Sequence, residues 1–305
     1  MQKIIFFGTS EIAVPSLERL HADGRFEIVG IVTQPDRPVG RHATLTPPPV
    51  KTAAFKLGIT EIHQPEKLKD ESFRTWIGSV GPSCDAFVLI AYGRILPQWL
   101  LDLPKMCIVN LHPSLLPRWR GPSPIQAAIA AGDTMTGVTI MKIDAEMDHG
   151  PILAQTEEPI QPTDTAGSLH DRLATFGADI LPDVVADYLT GKIIPQEQDD
   201  SLATVCKILS RDDGKLDPTK TAEELERIVR AFNPWPGMWI DLDGKRLKVI
   251  TAMISAEHAS SPGIGFSNGH LLFTCSDGTS LELFTVQPEG RSEMSGADFA
   301  RGYFR

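Results

Sequence analysis

Ile4-Ile5-Phe6-Phe7-Gly8-Thr9-Ser10-Glu11-Ile12 begins with an unbroken apolar run and ends on a helix-starting signal. Continuous apolar runs belong to strands covered on both faces, as in a parallel sheet, whereas half-exposed strands alternate. The run predicts a strand over 4–7. Ser10 then stands where a helix N-cap belongs, with Glu11 in the first turn and Ile12, Leu17 and Leu20 on one helical face. The same alternation continues outward. Phe26–Val32, Ala86–Ile90 and Cys107–Asn110 predict further strands, with Val50–Leu57 and Leu68–Ile77 as crossover helices between them. Gln126–Ala131 predicts a short helix, and Gly137–Ile143 and Ile152–Glu157 two more strands. Over 168–189, Leu169, Leu173, Phe176, Ile180, Val184, Val185 and Tyr188 recur with helical period and predict one long helix. Strand–helix alternation of this kind makes an α/β, doubly wound, mostly parallel sheet.

After Thr190-Gly191 the texture changes to a polar, Pro-containing stretch. The chain therefore divides into a first domain over 1–190, a linker over 191–206 and a second domain over 207–305. One helix is predicted over Ala222–Arg230, followed by Phe232-Asn233-Pro234-Trp235-Pro236-Gly237. From there, short strands separated by Asp243-Gly244, Asn268-Gly269 and Asp277-Gly278 predict a small antiparallel barrel.

Length and composition bound the function. At 305 residues with 42% hydrophobic content the chain can bury two cores, and its apolar runs are too short to span a bilayer. No secretory leader is legible at the N-terminus. Cys84, Cys107, Cys206 and Cys275 are far apart, without a CxxC pair, which predicts no metal site and a reducing, cytoplasmic setting. Net charge is −10, divided as −8 over 1–206 and −2 over 207–305, so a polyanionic partner must be met by a local basic patch.

Three segments carry chemistry. In the first, Asn110 and His112 lie two apart at the end of a predicted strand, so their side chains share a face at the edge where α/β sheets bind ligands. An amide beside an imidazole can stabilise an oxyanion and move a proton; a turn-capping Asn and a surface His is the alternative. In the second, Asp144-Ala145-Glu146-Met147-Asp148-His149-Gly150-Pro151 follows a strand; it is a solvated acidic loop, or Asp148 faces His112 and orients its ring. The third, Thr33–Arg41, is a long Pro-rich stretch carrying Arg37 and Arg41, either a mobile loop or a functional one.

Asn110-x-His112, Ser114-Leu115-Leu116-Pro117 and the distal Asp148 together resemble the 10-formyltetrahydrofolate-dependent formyltransferases. The longer strings Ser114–Gln126, Thr136–Ile140, Thr33–Arg41 and Asn233–Gly237 are similar to the members of that family that act on methionyl-tRNA. The resemblance runs from Ile4–Thr9 to Leu283–Gly290. It implies a Rossmann-like catalytic domain and an OB-like C-terminal β-barrel. It further implies formyl transfer from the co-substrate 10-formyltetrahydrofolate to the α-amine of methionyl-initiator tRNA, for translation initiation. An attacking amine needs no Lewis acid, so no metal is expected, and the chain is expected to act as a monomer away from membranes.

Carried over residue by residue, the resemblance makes Asn110, His112 and Asp148 catalytic. Tyr92, Arg94, Ile95, Leu96, Ser114, Leu115, Leu116, Pro117 and Asp144 would line the folate cleft. Arg37 and Arg41 would approach the tRNA acceptor end. Phosphate neutralisation adds Lys207, Lys245, Arg246 and Lys248 as tRNA contacts, with Arg118 and Arg120 as further candidates. Two departures stand out: His42-Ala43-Thr44 replaces the family's glycine and lysines after Arg41, and the C-terminal domain is not basic. A formyltransferase acting on an amino-sugar nucleotide is the rival within the class. A dinucleotide oxidoreductase lacks its G-x-G-x-x-G after the first strand, and a non-catalytic RNA-binding module would leave Asn110 and His112 dispensable.

Overall fold

A computed structural model of the chain describes residues 1–40, 43–257 and 261–303. The elements run β1 (Gln2–Gly8), α1 (Val14–Ala22), β2 (Phe26–Val32), β3 (Arg37–Val39), β4 (Thr44–Thr46), α2 (Pro49–Lys56) and β5 (Ile62–His63). Next come α3 (Glu71–Val80), β6 (Ala86–Ile90), α4 (Gln98–Leu101), β7 (Cys107–His112), α5 (Pro124–Ala131), β8 (Met135–Lys142), β9 (Ile152–Pro159) and α6 (Ala166–Leu189). The C-terminal part holds α7 (Ala222–Ala231), β10 (Met238–Leu242), β11 (Lys245–Ser255), β12 (Gly263–Ser267), β13 (His270–Thr274), β14 (Ser280–Pro288), β15 (Met294–Ser295) and α8 (Gly296–Tyr303). Two compact units emerge. Unit 1 is Met1–Arg120, Thr136–Glu158 and His170–Val205; unit 2 is Gly121–Met135, Pro159–Leu169 and Cys206–Arg305.

Unit 1 is built on a seven-stranded sheet in the order β5-β2-β1-β6-β7-β8-β9. The ladders β2–β5, β1–β2, β1–β6 and β6–β7 are parallel, and β7–β8 is antiparallel. Strand order reverses beside β1, the switch point at which doubly wound sheets open a crevice at their carboxyl ends. Ile4, Ile5, Phe6 and Phe7 are completely buried, as a central strand covered on both faces requires. Ile5, Phe7, Val32, Phe73, Ile77, Phe87, Tyr92 and Ile108 belong to one contiguous core.

The sequence expectation differs from the fold in three places in unit 1. Ser10 leads into a 3-10 turn over Glu11–Ala13 without a side-chain cap bond, and the α-helix itself starts at Val14. The helix expected from Leu68 starts at Glu71, because the Asp70 carboxylate accepts from the Lys67 backbone N–H and closes a turn ahead of it. The stretch over Thr33–Arg41 is not structureless: Arg37–Val39 pairs antiparallel with Thr44–Thr46. Its base is anchored at Asp36, whose carboxylate accepts from Gln64 Nε2 and Lys51 Nζ.

Unit 2 packs α5 on α7. Helix α5 ends on Gly132 in the left-handed region, where Arg227 Nε donates to the Ala130 carbonyl. Thr221 and Glu224 form a reciprocal capping box at the start of α7. The remaining strands make an antiparallel sheet in the order β10-β11-β14-β13-β12, with β15 beside β14. Asp243-Gly244 and Asn268-Gly269 both take positive φ at each residue, the conformation that twists with two-stranded ribbons. Register shifts around Thr251 bend the eleven-residue β11. The result is an OB-like half-barrel; no ladder joins β10 to β12 among the described residues.

Tyr92 stands edge-on to Phe7 with its phenol completely buried and without a hydrogen-bond partner among the described residues. Burial pushes that phenol up to about 12. An orphaned buried hydroxyl is a net loss. Tyr92→Phe is therefore expected to raise stability by about 1 kcal/mol, read as a higher denaturant midpoint with an unchanged slope.

Candidate active site

Strand β7 delivers Asn110 and His112 to one face, two residues apart, with 7% and 5% of their surface exposed. In the ladder Asn110 stands opposite Leu89 of β6 and Met141 of β8. Leu89, Asn110 and Met141 thus form a cross-strand row, and all three line one cavity of about 160 Å³. Its other walls are Arg94, Ile95, Leu96 and residues 143–148. Among the described residues no group hydrogen-bonds the Asn110 carboxamide, which leaves that donor–acceptor pair facing the cavity.

The imidazole of His112 has two neighbours. Nε2 lies 2.9 Å from the Trp119 carbonyl oxygen, which can only accept, so Nε2 carries a hydrogen. Nδ1 lies 3.7 Å from Asp148 Oδ2. In the neutral ring Nδ1 therefore presents its lone pair, and a proton gained there sits beside a carboxylate. Asp148 itself lines the cavity, so His112 communicates with it through that carboxylate.

The backbone around these groups is unusual. Trp119 and Asp148 both have positive φ, 62° and 52°, a region that costs a side-chain-bearing residue roughly 1–2 kcal/mol. Thr204 fixes the first: its Oγ1 accepts from Trp119 N–H, its carbonyl accepts from Arg120 N–H, and its own N–H donates to Pro117. Gln198 Nε2 donates to the carbonyls of Asp148 and Gly150 at the second. Neither Thr204 nor Gln198 is part of any motif in the sequence, and both come from the polar stretch after α6.

The expected folate-lining residues separate into two groups. Arg94, Ile95, Leu96 and Asp144 line the cavity. Arg94 is fixed by Gln34 Oε1 and the Pro65 carbonyl, while the Asp144 carboxylate is engaged by His149 Nδ1 at 2.7 Å and by Glu146 N–H. Tyr92 and Ser114–Pro117 are not among the lining residues. Tyr92 faces the core, because apolar neighbours on β1 and β6 claim its ring. The Ser114–Pro117 turn is pinned inward: Thr139 Oγ1 donates to the Ser114 carbonyl and accepts from Leu116 N–H, and Gln155 Nε2 donates to the Leu116 carbonyl.

The basic candidates are scattered. In unit 1, Arg37 pairs with Glu66 at 3.0 Å and the Arg118 guanidinium lies over the Trp119 ring. Arg41 lies outside the described residues. Arg120 does not fit a phosphate contact: it is 9% exposed, with its guanidinium donating to Gln198 Oε1 and Asp200. In unit 2, Lys207 pairs with Asp213, and Arg246 stacks over Trp239 at 4.1 Å while meeting Asp212 at 3.3 Å. Lys245 and Lys248 are exposed on β11. Among the described residues no cluster of three His, Cys, Asp or Glu is arranged to hold a metal, and no helix is long and apolar enough to cross a membrane.

The sequence matches the formyl transferase family over residues 2–185 and the formyl transferase C-terminal domain over 208–304. Methionyl-tRNA formyltransferase of Chloroflexus aurantiacus is 46% identical over 305 residues, covering 98% of this chain and 96% of the relative. That of Acidobacterium capsulatum is 43% identical over 303 residues, again covering 98% and 96%. Among solved structures, the N-formyltransferase of Helicobacter canadensis, in complex with folinic acid and dTDP-3-aminofucose, matches with a TM-score of 0.65 at 20% identity, over 94% of this chain and 100% of that one. The chain belongs to the formyl transferase family.

The hydrogen bond to Asp144 raises the pKa of His149, with burial opposing it and the nearby Asp144, Asp200 and Glu146 charges adding to the rise. A raised value means that the bond stabilises the fold fully below the ordinary histidine value and loses that contribution as pH rises through the raised one. Wild type is expected to melt above His149→Gln below the ordinary histidine value, with the gap closing as pH rises through the raised one. A gap independent of pH in paired melting curves would remove the ion pair from the loop's stability.

Proposed function

We propose that this chain transfers the formyl group of 10-formyltetrahydrofolate to the α-amine of methionine esterified to initiator tRNA, as a cytoplasmic monomer serving translation initiation. One observation carries the reading: the His112 ring is held in a single tautomer between an acceptor carbonyl and the Asp148 carboxylate, next to Asn110. Similarity over nearly the whole chain to methionyl-tRNA formyltransferases supports the same acceptor. The sugar-modifying neighbour, at 20% identity, shares the fold. The amino-sugar alternative therefore has the weaker support.

At about 160 Å³ the cavity suits one ring system of a folate co-substrate, because apolar walls from Leu89, Ile95, Leu96, Met141 and Ile143 meet polar groups at Asn110 and Asp148. We assign Arg94, Ile95, Leu96 and Asp144 to holding it, with Tyr92 and Ser114–Pro117 shaping the cleft from behind. The donor supplies the electrophilic formyl carbon. A protonated amine has no lone pair for attack, so a base has to take its proton. His112 Nδ1 accepts that proton as the new C–N bond forms and returns it as the bond to the donor nitrogen breaks. Asp148 stabilises the transient imidazolium, and Asn110 donates to the oxygen on which charge develops. Unit 1 would carry this chemistry, with the stretch expected as a linker supplying Gln198 and Thr204 to it, and residues 207–305 of unit 2 would serve as the RNA-binding part. Arg37, Arg41, Lys207, Lys245, Arg246 and Lys248 would supply phosphate contacts, several of them after leaving a carboxylate partner.

Asn110→Ala and His112→Ala are each expected to lower kcat by about 10²–10³ with the fold intact, measured as transfer of labelled formyl to methionyl-tRNA. Near-normal turnover by either variant would sink the assignment. The tRNA affinity should fall linearly on a log–log plot against salt, with a slope of about −0.9 or less per phosphate neutralised. A flat plot would count against an electrostatic interface.

A further inference from the structure

Gln198 belongs to no sequence motif, yet its carboxamide bonds on both sides. Nε2 donates to the carbonyls of Asp148 and Gly150 at 2.9 and 2.8 Å. Oε1 receives two bonds from Arg120, from Nε at 3.0 Å and Nη2 at 2.8 Å. The Arg120 guanidinium is itself nearly buried and reaches Asp200 at 2.7 Å. A carboxamide is the side-chain group that can accept from a guanidinium and donate to carbonyls at once; a carboxylate only accepts, and an alkyl group does neither.

What this clamp holds is a strained turn. Asp148 sits at φ 52°, and a side chain at Gly150 would collide with the Lys142 carbonyl, 2.0 Å from where its Cβ would stand. Strained backbone persists only where its surroundings over-determine it. The two Gln198 bonds supply that determination at the residue whose side chain faces His112. On the proposed reading of His112 and Asp148 as the proton-transfer pair, we infer that Gln198 is a positioning residue for Asp148, aimed in turn by Arg120. It keeps the carboxylate within charge-stabilising distance of Nδ1. The base thus depends on a residue some fifty positions downstream of the acid it holds.

Kinetics of formyl transfer to methionyl-tRNA test this, using the full chain with Gln198→Glu and Gln198→Leu in wild-type and Asp148→Ala backgrounds. Gln198→Glu keeps the size and the partner for Arg120 but replaces the donors by a charged acceptor facing two carbonyls, and Gln198→Leu removes the donors without adding charge, so a loss shared by both variants reports the clamp. The expected result is a roughly 10- to 100-fold loss of kcat, with KM for both substrates nearly unchanged and a lowered melting temperature from the two lost bonds. In the Asp148→Ala background the same substitution is expected to change kcat by less than about twofold, the non-additivity of residues acting through one another. Wild-type kcat in Gln198→Glu, or the same loss in both backgrounds, would overturn the positioning role while leaving the site reading intact. Full turnover by Asp148→Ala would overturn both.

Discussion

A single five-membered ring sets the demands on the structure around it. The His112 imidazole must present a lone pair on one side while its other nitrogen stays protonated, and it must be able to carry charge after taking up a proton. The Trp119 carbonyl satisfies the first demand by accepting from Nε2, and the Asp148 carboxylate the second by standing 3.7 Å from Nδ1. Both partners lie in left-handed backbone, so each needs bonds from elsewhere to stay where the ring requires it.

Those bonds have a common origin. Thr204 holds the Trp119–Arg120 backbone and Gln198 holds the Asp148 turn, and both lie on the segment after α6, which also pairs with the sheet through Ile152 and Gln196. A stretch whose composition reads as connecting chain therefore carries the supports of the candidate catalytic pair. Buried Arg120 shows the same economy: its guanidinium meets the Gln198 oxygen and the Asp200 carboxylate, partners without which a desolvated cation would be costly.

Charge organisation follows from an acidic chain with a proposed polyanionic substrate. Arg37, Lys207 and Arg246 each have a carboxylate at hand, Glu66, Asp213 and Asp212. The exposed pairs of Arg37 and Arg246 contribute little to stability and can be surrendered to phosphates at small cost, whereas Asp213 is largely covered and held as a carboxylate by Lys207 and Ser210.

Legibility tracks the range of the interaction. Runs such as Ile4–Phe7 and the helical recurrence over 168–189 are local, so the sheet, its crossovers and the Asn-Gly and Asp-Gly turns of the C-terminal half-barrel could be read from neighbours a few residues apart. The spacing of Asn110 and His112 gave their shared face for the same reason. The pairing of Arg37–Val39 with Thr44–Thr46 and the inward turn at Ser114–Pro117 could not be read, since they depend on Gln64, Lys51, Thr139 and Gln155 from distant positions. Tyr92 went to the core because its apolar neighbours come from other strands. Local chemistry thus fixed which residues could act and on which strand they stand. Only packing decided which nitrogen of His112 is protonated and what keeps Asp148 near the other, because hydrogen bonds between remote segments leave no period in the chain.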